Sequence, residues 1–432
     1  MEQFDTADKS VCGALESNLT QKPLQPYSEL VCDFLDAFSH ALRHDYEAKQ
    51  YPDVMTFAFW ARKGSIQQKK EDYIRRFGDQ RRLGKGTVFH IAPSNVPVNC
   101  MFTYAFGLLA GNANIVRVPS KDFPQVSCML RVLDEVLKKE AFSVIKEMTS
   151  FVCYERTDEK YTRRYSAMCD MRVIWGGDDT IREIRKVELP PRSTEITFAD
   201  RYSFGILDVG ILLEMSDDEM KSLAEGFYND TYLMDQNACS TPHLICFKKS
   251  GEKLNNEAVK EAKERFWTYV ATIAAKYELA DVKASDKYTD LCEKLMYVSK
   301  EGSNDSENAK EMAGCDYHFF NGKMIADVTR YDNLLYVCEL SELPKDTALQ
   351  CRGRYGMFFE YTFEAFDELS VLSDTRVQTC AVYGVDEDEM RRYIAEHGFR
   401  GIDRVVSFGK TLDIDTIWDG YDLINTMSRV IG

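Results

Sequence analysis

One cysteine, Cys239, stands between a helix candidate and a strand candidate, in the segment from Gln236 to His243. A cysteine attacks as the thiolate, and an unperturbed thiol has a pKa of about 8.5. Backbone dipoles around such a loop lower that pKa and favour a nucleophile. A cysteine taken alone is more often a small buried hydrophobic residue, so both interpretations stay open. We interpret His243 as structural, because nearness in sequence does not establish a cysteine–histidine pair.

Asn95 lies in a short segment between Pro93 and Pro97. A side-chain amide held rigidly between two prolines is suited to donate a hydrogen bond to an oxyanion. Asparagine and proline are also common turn formers, so a plain turn is the alternative.

Gly176 and Gly177 separate a strand candidate from a helix candidate. Backbone N–H groups in such a turn are able to face a phosphate, although a glycine pair is more often only a turn. No GxGxxG follows any strand, and no GxxxxGK[ST] occurs. The six histidines include no HExxH motif, so no metal site is predicted.

The elements around these residues alternate. Apolar runs predict strands at 87–91, 113–118 and 171–175, and helices follow at 98–109, 123–137 and 178–185. Strand, loop and helix in repetition indicate a parallel sheet, whose ligands bind at the carboxyl ends of the strands.

A second α/β unit is predicted to start near residue 202. It has strands at 204–207 and 243–247 and helices at 217–228 and 257–276. Residues 1–80 are mostly helical, and 300–314 form an exposed loop.

Composition narrows the class of protein. The 432 residues carry 54 Lys+Arg and 70 Asp+Glu, a net charge of −16, which argues against nucleic-acid binding. Thirteen scattered cysteines without a CxxC pair favour a reducing cytoplasm. No secretory signal or membrane span is predicted, so we expect a cytoplasmic protein.

Five short motifs occur in an order that has a known counterpart: IAPSNVP (91–97), LAGN (109–112), VPSK (118–121), WGG (175–177) and QNAC (236–239). The chain thereby resembles the aldehyde dehydrogenase superfamily, with its signatures PWNFP, LAAGN, KPSE, FTGS and GQxC. FADRYS (198–203), GIDRVV (401–406) and WDGYDL (418–423) make it most similar to the LuxC-type acyl-CoA reductases. The resemblance covers roughly residues 84–432.

The resemblance implies an α/β, aldehyde-dehydrogenase-like fold with a Rossmann-like cofactor domain and an α/β catalytic domain. We place an N-terminal helical segment and the NADP(H)-binding domain at 1–203. The catalytic domain with the nucleophilic cysteine is at 204–400, and a C-terminal segment at 401–432 returns to the domain interface.

The resemblance also implies a reaction. The Cys239 thiolate attacks a long-chain acyl-CoA and expels CoA, NADPH reduces the acyl thioester, and a fatty aldehyde leaves. Asn95 and the Cys239 backbone N–H would form the oxyanion hole. The residues assigned to the cofactor are Pro93, Ser94, Arg117, Ser120, Lys121, Gly176 and Gly177.

Two departures from the superfamily bear on this reaction. Thr197 stands where the superfamily has its general base, a glutamate, and Glu195 is a displaced substitute we do not favour. A reductase is served by losing that base, because hydrolysis of the acyl-enzyme needs an activated water. Lys121 replaces an acidic residue that favours NAD, so Lys121 and nearby Arg117 favour the 2′-phosphate of NADPH; a solvent-exposed lysine is the alternative.

Two other functions remain. One is an aldehyde dehydrogenase that oxidises an aldehyde, against which Thr197 argues. The other is a non-catalytic scaffold with the same fold, against which Asn95 and Cys239 argue. The resemblance further implies a homo-oligomer, a dimer or tetramer, and leaves room for acyl-transferring or acyl-activating partner enzymes.

Overall fold

The computed structural model describes residues 10–20, 22–93, 96–250, 254–296 and 325–432. Ser94, Asn95 and the predicted loop at 300–314 therefore lie outside the described residues. The chain divides into two compact units, one of Met1–Asp200 with Asp415–Gly432 and one of Arg201–Ile414. The functional roles assigned above to 1–203, 204–400 and 401–432 stay predictions.

After a short strand at Ser10–Gly13, the first unit continues with helices, as the apolar stripe at residues 30–42 predicts. Up to residue 200, its helices are α1 (Glu29–His44), α2 (Pro52–Trp60), α3 (Lys63–Phe77), α4 (Asn99–Leu109), α5 (Pro124–Leu137), α6 (Ser143–Glu147), α7 (Glu159–Met168) and α8 (Asp178–Arg185). Its strands are β1 (Ser10–Gly13), β2 (Arg81–Gly84), β3 (Thr87–Ile91), β4 (Ala113–Val118), β5 (Thr149–Cys153), β6 (Met171–Trp175) and β7 (Thr194–Phe198).

Among the described residues, six of these strands form one sheet in the order β1-β5-β4-β3-β6-β7. β1 runs antiparallel to β5, and the other neighbours are parallel. From β3 the chain adds β4 and β5 on one side and then crosses to add β6 and β7 on the other. This is the doubly wound order 3-2-1-4-5, in which ligands bind at the point where the strand order reverses. Here that point lies between the carboxyl ends of β3 and β6.

The second unit is built on the same principle. Its helices are α9 (Val209–Glu214), α10 (Asp217–Thr231), α11 (Asn256–Ala274), α12 (Asp281–Met296), α13 (Thr347–Gln350) and α14 (Glu387–Glu396). Its strands are β8 (Tyr202–Asp208), β9 (Pro242–Lys248), β10 (Ile325–Tyr331), β11 (Leu335–Leu340), β12 (Met357–Phe363), β13 (Val377–Tyr383) and β14 (Arg404–Ser407).

These strands form a sheet in the order β10-β11-β12-β9-β8-β13-β14, parallel except for β10. Both faces are covered, so side chains alternate between two cores. In β9, Leu244 and Cys246 join one core, and Ile245 and Phe247 join the other with α9, α10 and α11. A strand buried on both faces is continuously apolar, which is why the sequence locates it.

The last segment completes the first unit. It contains β15 (Ile417–Trp418), β16 (Tyr421–Asp422), α15 (Leu423–Thr426) and β17 (Ser428–Ile431). β17 pairs antiparallel with β2, and β15 pairs with β16.

A buried polar network ties α4 to the centre of the first sheet. His90 lies 2.7 Å from Thr103 Oγ1 through Nδ1 and 2.9 Å from Asn114 Oδ1 through Nε2. The Trp175 indole N–H donates to the same threonine oxygen at 3.3 Å. Burial lowers the pKa of His90 to about 4, so the ring is neutral and both of its nitrogens are used. The network joins β3, β4 and β6, the strands on which the predicted cofactor residues depend.

The network predicts that Gly107→Ala destabilises the protein. A Cβ there would lie 1.8 Å from Asn114 Oδ1 and 3.0 Å from His90 Nε2. The free energy of unfolding should fall by about 2–4 kcal/mol, measured by urea denaturation. Gly64→Ala in α3 is the control, because nothing lies within 4 Å of its Cβ position. It should gain about 0.5 kcal/mol from helix propensity, and equal changes in both variants would contradict the clash.

Candidate active site

The loop that carries Cys239 begins with a rare backbone turn. After a 3-10 helix at Tyr232–Met234, Asp235 and Gln236 take left-handed φ angles of 53° and 59°. For residues with a side chain this conformation costs about 1–3 kcal/mol each. Surrounding contacts must therefore hold the turn.

The side chain of Gln236 supplies two of those contacts. It is only 4% exposed, its Oε1 accepts from the Gly356 N–H at 2.6 Å, and its Nε2 donates to the Met357 carbonyl at 3.1 Å. The amide thus binds the start of β12 with both ends. Local sequence patterns do not reveal this role of Gln236, because its partners lie about 120 residues away.

Further contacts fix the rest of the loop. The Ser203 hydroxyl donates to the Cys239 carbonyl at 2.7 Å and accepts from the Thr379 N–H at 3.1 Å. The Thr241 hydroxyl donates to the Asp230 carbonyl at 2.9 Å. Strands β8 and β13 and helix α10 therefore hold the cysteine backbone.

Cys239 differs from most cysteines of the described chain in exposure. Eight of the twelve described cysteines are buried, whereas Cys239 is partly exposed. Burial raises the pKa of Cys100 and of Cys338 to about 12, which keeps these thiols protonated. Cys239 therefore has the partial exposure that is typical of a reactive cysteine.

His243 lies in β9 with its ring stacked on Tyr202 at 5.5 Å between centroids. Burial, with the charge of Arg352, lowers its pKa to about 3. Its Nδ1 has no hydrogen-bond partner within the described residues. A base this weak at neutral pH is not suited to take a proton from a thiol, which agrees with the structural role expected from the sequence.

Asp230 is a buried carboxyl that no sequence motif indicates. It accepts from the N–H groups of Gly409 at 2.6 Å and Thr411 at 3.0 Å. Burial raises its pKa to about 6 despite these bonds. It joins helix α10, which holds Thr241, to the loop that follows β14.

Two of the sequence motifs meet through an ion pair. Arg201 of FADRYS donates to Asp403 of GIDRVV at 2.6 Å and to the Val377 carbonyl at 2.5 Å. Ser203, the last residue of FADRYS, donates a hydrogen bond to the Cys239 carbonyl. The two motifs thus help to hold the loop that carries Cys239.

The first unit carries most of the predicted cofactor residues at strand ends. Arg117, in β4, lies over the Tyr154 ring at 4.8 Å and donates to the Tyr154 carbonyl at 3.3 Å. Its buried Nε has no partner among the described residues. Lys121 is exposed, with its amine 5.3 Å from the Phe123 ring centre.

The other predicted cofactor residues surround the switch point. Pro93 follows β3, exposed Ser120 follows β4, and Gly176 and Gly177 follow β6. Gly177 has an ordinary φ of −65° and nothing within 4 Å of its Cβ position. Neither strain nor packing within the described chain requires glycine there, so the open space suits the close approach of a ligand backbone or phosphate. These residues and the Arg117 Nε fit a dinucleotide.

Glu195, the candidate substitute for the missing base, is held by two guanidinium groups. Its carboxylate accepts from Arg172 at 2.5 and 2.7 Å and from Arg185 at 2.7 Å. Arg172 is 2% exposed and also bonds Ser166 and the Val187 carbonyl. Glu195 is therefore part of a structural network, and Thr197, in β7 beside it, offers only a hydroxyl.

One cluster elsewhere has metal-ligand residue types: Asp45, Glu47 and Cys128. Arg131 donates to both carboxylates, at 3.0 and 3.1 Å, so its guanidinium group already neutralises them. The expectation that the protein binds no metal stays a prediction.

Comparison with known sequences decides the family. The sequence model of the acyl-CoA reductase (LuxC) family matches residues 66–430. The chain belongs to this family. The resemblance seen in the five motifs is thereby confirmed.

Two curated relatives are similar over part of the chain. A long-chain acyl-protein thioester reductase of Vibrio harveyi is 26% identical over 190 residues, 44% of this chain and 36% of that protein. Long-chain acyl-protein thioester reductase 2 of Photobacterium leiognathi is 23% identical over 166 residues, 38% of this chain and 32% of that protein. The matched part spans about a third of each relative.

Solved aldehyde dehydrogenases share the fold. Aldehyde dehydrogenase 21 of Physcomitrella patens has a TM-score of 0.59 at 12% identity, covering 93% of this chain and 85% of that one. A benzaldehyde dehydrogenase of Corynebacterium glutamicum has a TM-score of 0.56 at 13% identity, covering 94% and 85%. The predicted aldehyde-dehydrogenase-like α/β fold is confirmed. No described helix combines the length and apolarity needed to cross a membrane.

Glu195→Gln should destabilise the protein, because it leaves the buried Arg172 without its anion. The expected loss is about 3 kcal/mol of the free energy of unfolding, measured by urea denaturation. Glu183→Gln, which removes an exposed pair with Lys186, is the control and should change it by less than about 1 kcal/mol. Two equal, small effects would show that Glu195 is not structural.

Proposed function

We propose that this family member reduces an acyl thioester to an aldehyde through a covalent acyl-Cys239 intermediate, with NADPH as the reductant. The observation that carries the proposal is the partly exposed cysteine on a strained loop that three separate elements hold in place. Such strain is kept where a side chain has to be presented in one orientation.

The first step forms a bond between the Cys239 sulfur and the acyl carbon. The C–S bond to CoA then breaks, and CoA leaves as a thiolate that takes a proton from water. The negative charge on the acyl oxygen needs hydrogen-bond donors, and we assign this role to the Asn95 amide and the Cys239 N–H. The product of this step is a thioester on the enzyme.

The second step reduces that thioester. A bound nicotinamide supplies the hydride. The chain's own task is to hold the acyl group on Cys239 and stabilise the oxyanion until the C–S bond breaks, releasing the aldehyde and restoring the thiolate. Over the cycle, acyl-CoA, NADPH and a proton give aldehyde, CoA and NADP⁺.

The pairing of Glu195, the one carboxylate considered as a substitute base, also favours reduction over oxidation. An aldehyde dehydrogenase needs a base that activates water to hydrolyse the acyl-enzyme. Glu195 is held by Arg172 and Arg185, and His243 is buried with a pKa of about 3. Without an activated water the acyl-enzyme survives long enough to be reduced.

The preference for NADPH rests on Arg117 and Lys121. Arg117 is the last residue but one of β4, and Lys121 follows that strand, which lies beside the switch strand β3. The end of this strand is where a doubly wound sheet holds the adenosine ribose. Two cations there favour a 2′-phosphate.

We also propose that the protein is a cytoplasmic homo-oligomer. The names of the two curated relatives add an acyl-protein thioester to acyl-CoA as a candidate acyl donor.

Cys239→Ser should abolish the acyl-enzyme, because a hydroxyl without a dedicated base is a far weaker nucleophile. Incubation with radiolabelled palmitoyl-CoA, followed by peptide mapping, measures this. Cys32→Ser, at another partly exposed cysteine, is the control and should label normally. Full labelling of the Cys239 variant would refute its assignment, and no labelling of the wild type would favour the scaffold. NAD-dependent aldehyde oxidation without thioester reduction would favour the dehydrogenase.

Lys121→Glu should shift the cofactor preference from NADPH towards NADH. A carboxylate repels the 2′-phosphate and accepts hydrogen bonds from a free ribose hydroxyl. We expect a change of roughly tenfold to a hundredfold in the ratio of kcat/KM values, measured by thioester-dependent oxidation of each cofactor. Lys146→Glu, at an exposed site in α6, should leave the ratio unchanged. A wild-type preference for NADH would refute the NADPH assignment.

A further inference from the structure

Two left-handed turns contact each other beside the nucleophile loop. One is Asp235-Gln236, and the other is Tyr355-Gly356, with φ angles of 55° and 89°. Three of these four residues carry side chains that disfavour this conformation. The amide of Gln236 joins the turns through its bond from the Gly356 N–H, so a shift of one turn moves the other.

Helix α12 contacts both turns with lysines four residues apart. Lys283 donates to the Asp235 carboxylate at 2.7 Å, and Asp235 also accepts from the Tyr277 hydroxyl. Lys287 donates to the Tyr355 carbonyl at 2.9 Å. Residues at i and i+4 lie on one face of a helix, so this face of α12 holds the two turns at a set separation.

The environment of Lys287 is unusual for a cation. The side chain is fully buried, and its amine bonds the carbonyls of Asn333 and Tyr355 and lies 4.4 Å from the Tyr336 ring centre. These partners are neutral, and within the described residues no carboxylate pairs with it. Burial and the charge of Arg330 lower its pKa to about 8. Burying a cation among neutral partners costs free energy, and an apolar side chain would pack there at lower cost. The hydrogen bond from Lys287 to the Tyr355 carbonyl therefore indicates a role beyond packing.

We propose that Lys287 and Gln236 are positioning residues for Cys239. Lys287 holds the Tyr355-Gly356 turn in place. Gln236, three residues before Cys239, bonds to that turn and so sets the position of the loop. Ser203 holds the far side of the loop through the Cys239 carbonyl. The inference rests on the proposed role of Cys239, and it adds the part of the chain that aims the thiol.

The test compares Lys287→Met and Gln236→Glu with Lys260→Met, a change at an exposed lysine of α11. Methionine keeps the length of the lysine without its donor. Glutamate still accepts from the Gly356 N–H, but it has no N–H to donate to the Met357 carbonyl and places an oxygen against it. For each folded variant we would measure kcat and KM for palmitoyl-CoA and the rate at which iodoacetamide alkylates Cys239, read from its peptide.

A misplaced thiol should lower turnover by roughly tenfold to a hundredfold, with KM changed by less than about threefold. The alkylation rate of Cys239 should change in both variants and stay at the wild-type value in Lys260→Met. Because both residues act through one turn, the double variant should lose little more than the worse single one.

Turnover and alkylation within twofold of wild type in folded Lys287→Met or Gln236→Glu would overturn the inference. Fully additive losses in the double variant would also do so, because they indicate two independent effects. If Lys287→Met does not fold, Gln236→Glu and Lys283→Met, whose amine is partly exposed, decide the question. Failure of the proposed function looks different: Cys239→Ser would then keep the acyl-enzyme, whatever Lys287 does.

Discussion

The loop that carries Cys239 depends on one side-chain amide. Asp235 and Gln236 are held in a left-handed turn that neither residue favours, and the bonds of Gln236 to Gly356 and Met357 offset that cost. A glycine would relieve the strain but would bind nothing. The chain therefore keeps a strained residue because its side chain fastens the loop to β12, and the orientation of Cys239 follows from that attachment.

Cys239 also lies where two parallel strands begin, and both strands restrain its backbone. Cys239 precedes β9, and its carbonyl is bound by Ser203 at the second residue of β8. Strands buried on both faces move little relative to one another, since their side chains are close-packed on each side. A loop attached to two of them inherits that rigidity, which preorganises the thiol and the neighbouring N–H.

Sequence patterns predict the strands with continuous apolar runs, such as 87–91 and 171–175. They do not predict β7 at Thr194–Phe198, whose sequence TEITF alternates polar and apolar residues at the edge of the sheet. Nor do they reveal which charges pair. Glu195 meets Arg172 only because parallel β6 and β7 bring them into register. Lys287 reaches Tyr355, 68 residues away, through a tertiary contact that local patterns do not encode.

The hydrogen-bond partners of Glu195 bear on how, under the proposed mechanism, a fold shared with aldehyde dehydrogenases would carry out a reduction instead of an oxidation. A carboxylate that activates water must be desolvated and unpaired, so that its pKa approaches neutrality. Glu195 instead accepts hydrogen bonds from two guanidinium groups, which occupy both of its carboxylate oxygens. Thr197, which the sequence resemblance places at the position of the superfamily base, has a hydroxyl that cannot act as a base at neutral pH. Under the proposed mechanism neither Glu195 nor Thr197 then activates water, so the acyl-enzyme persists long enough for the bound nicotinamide to reduce it.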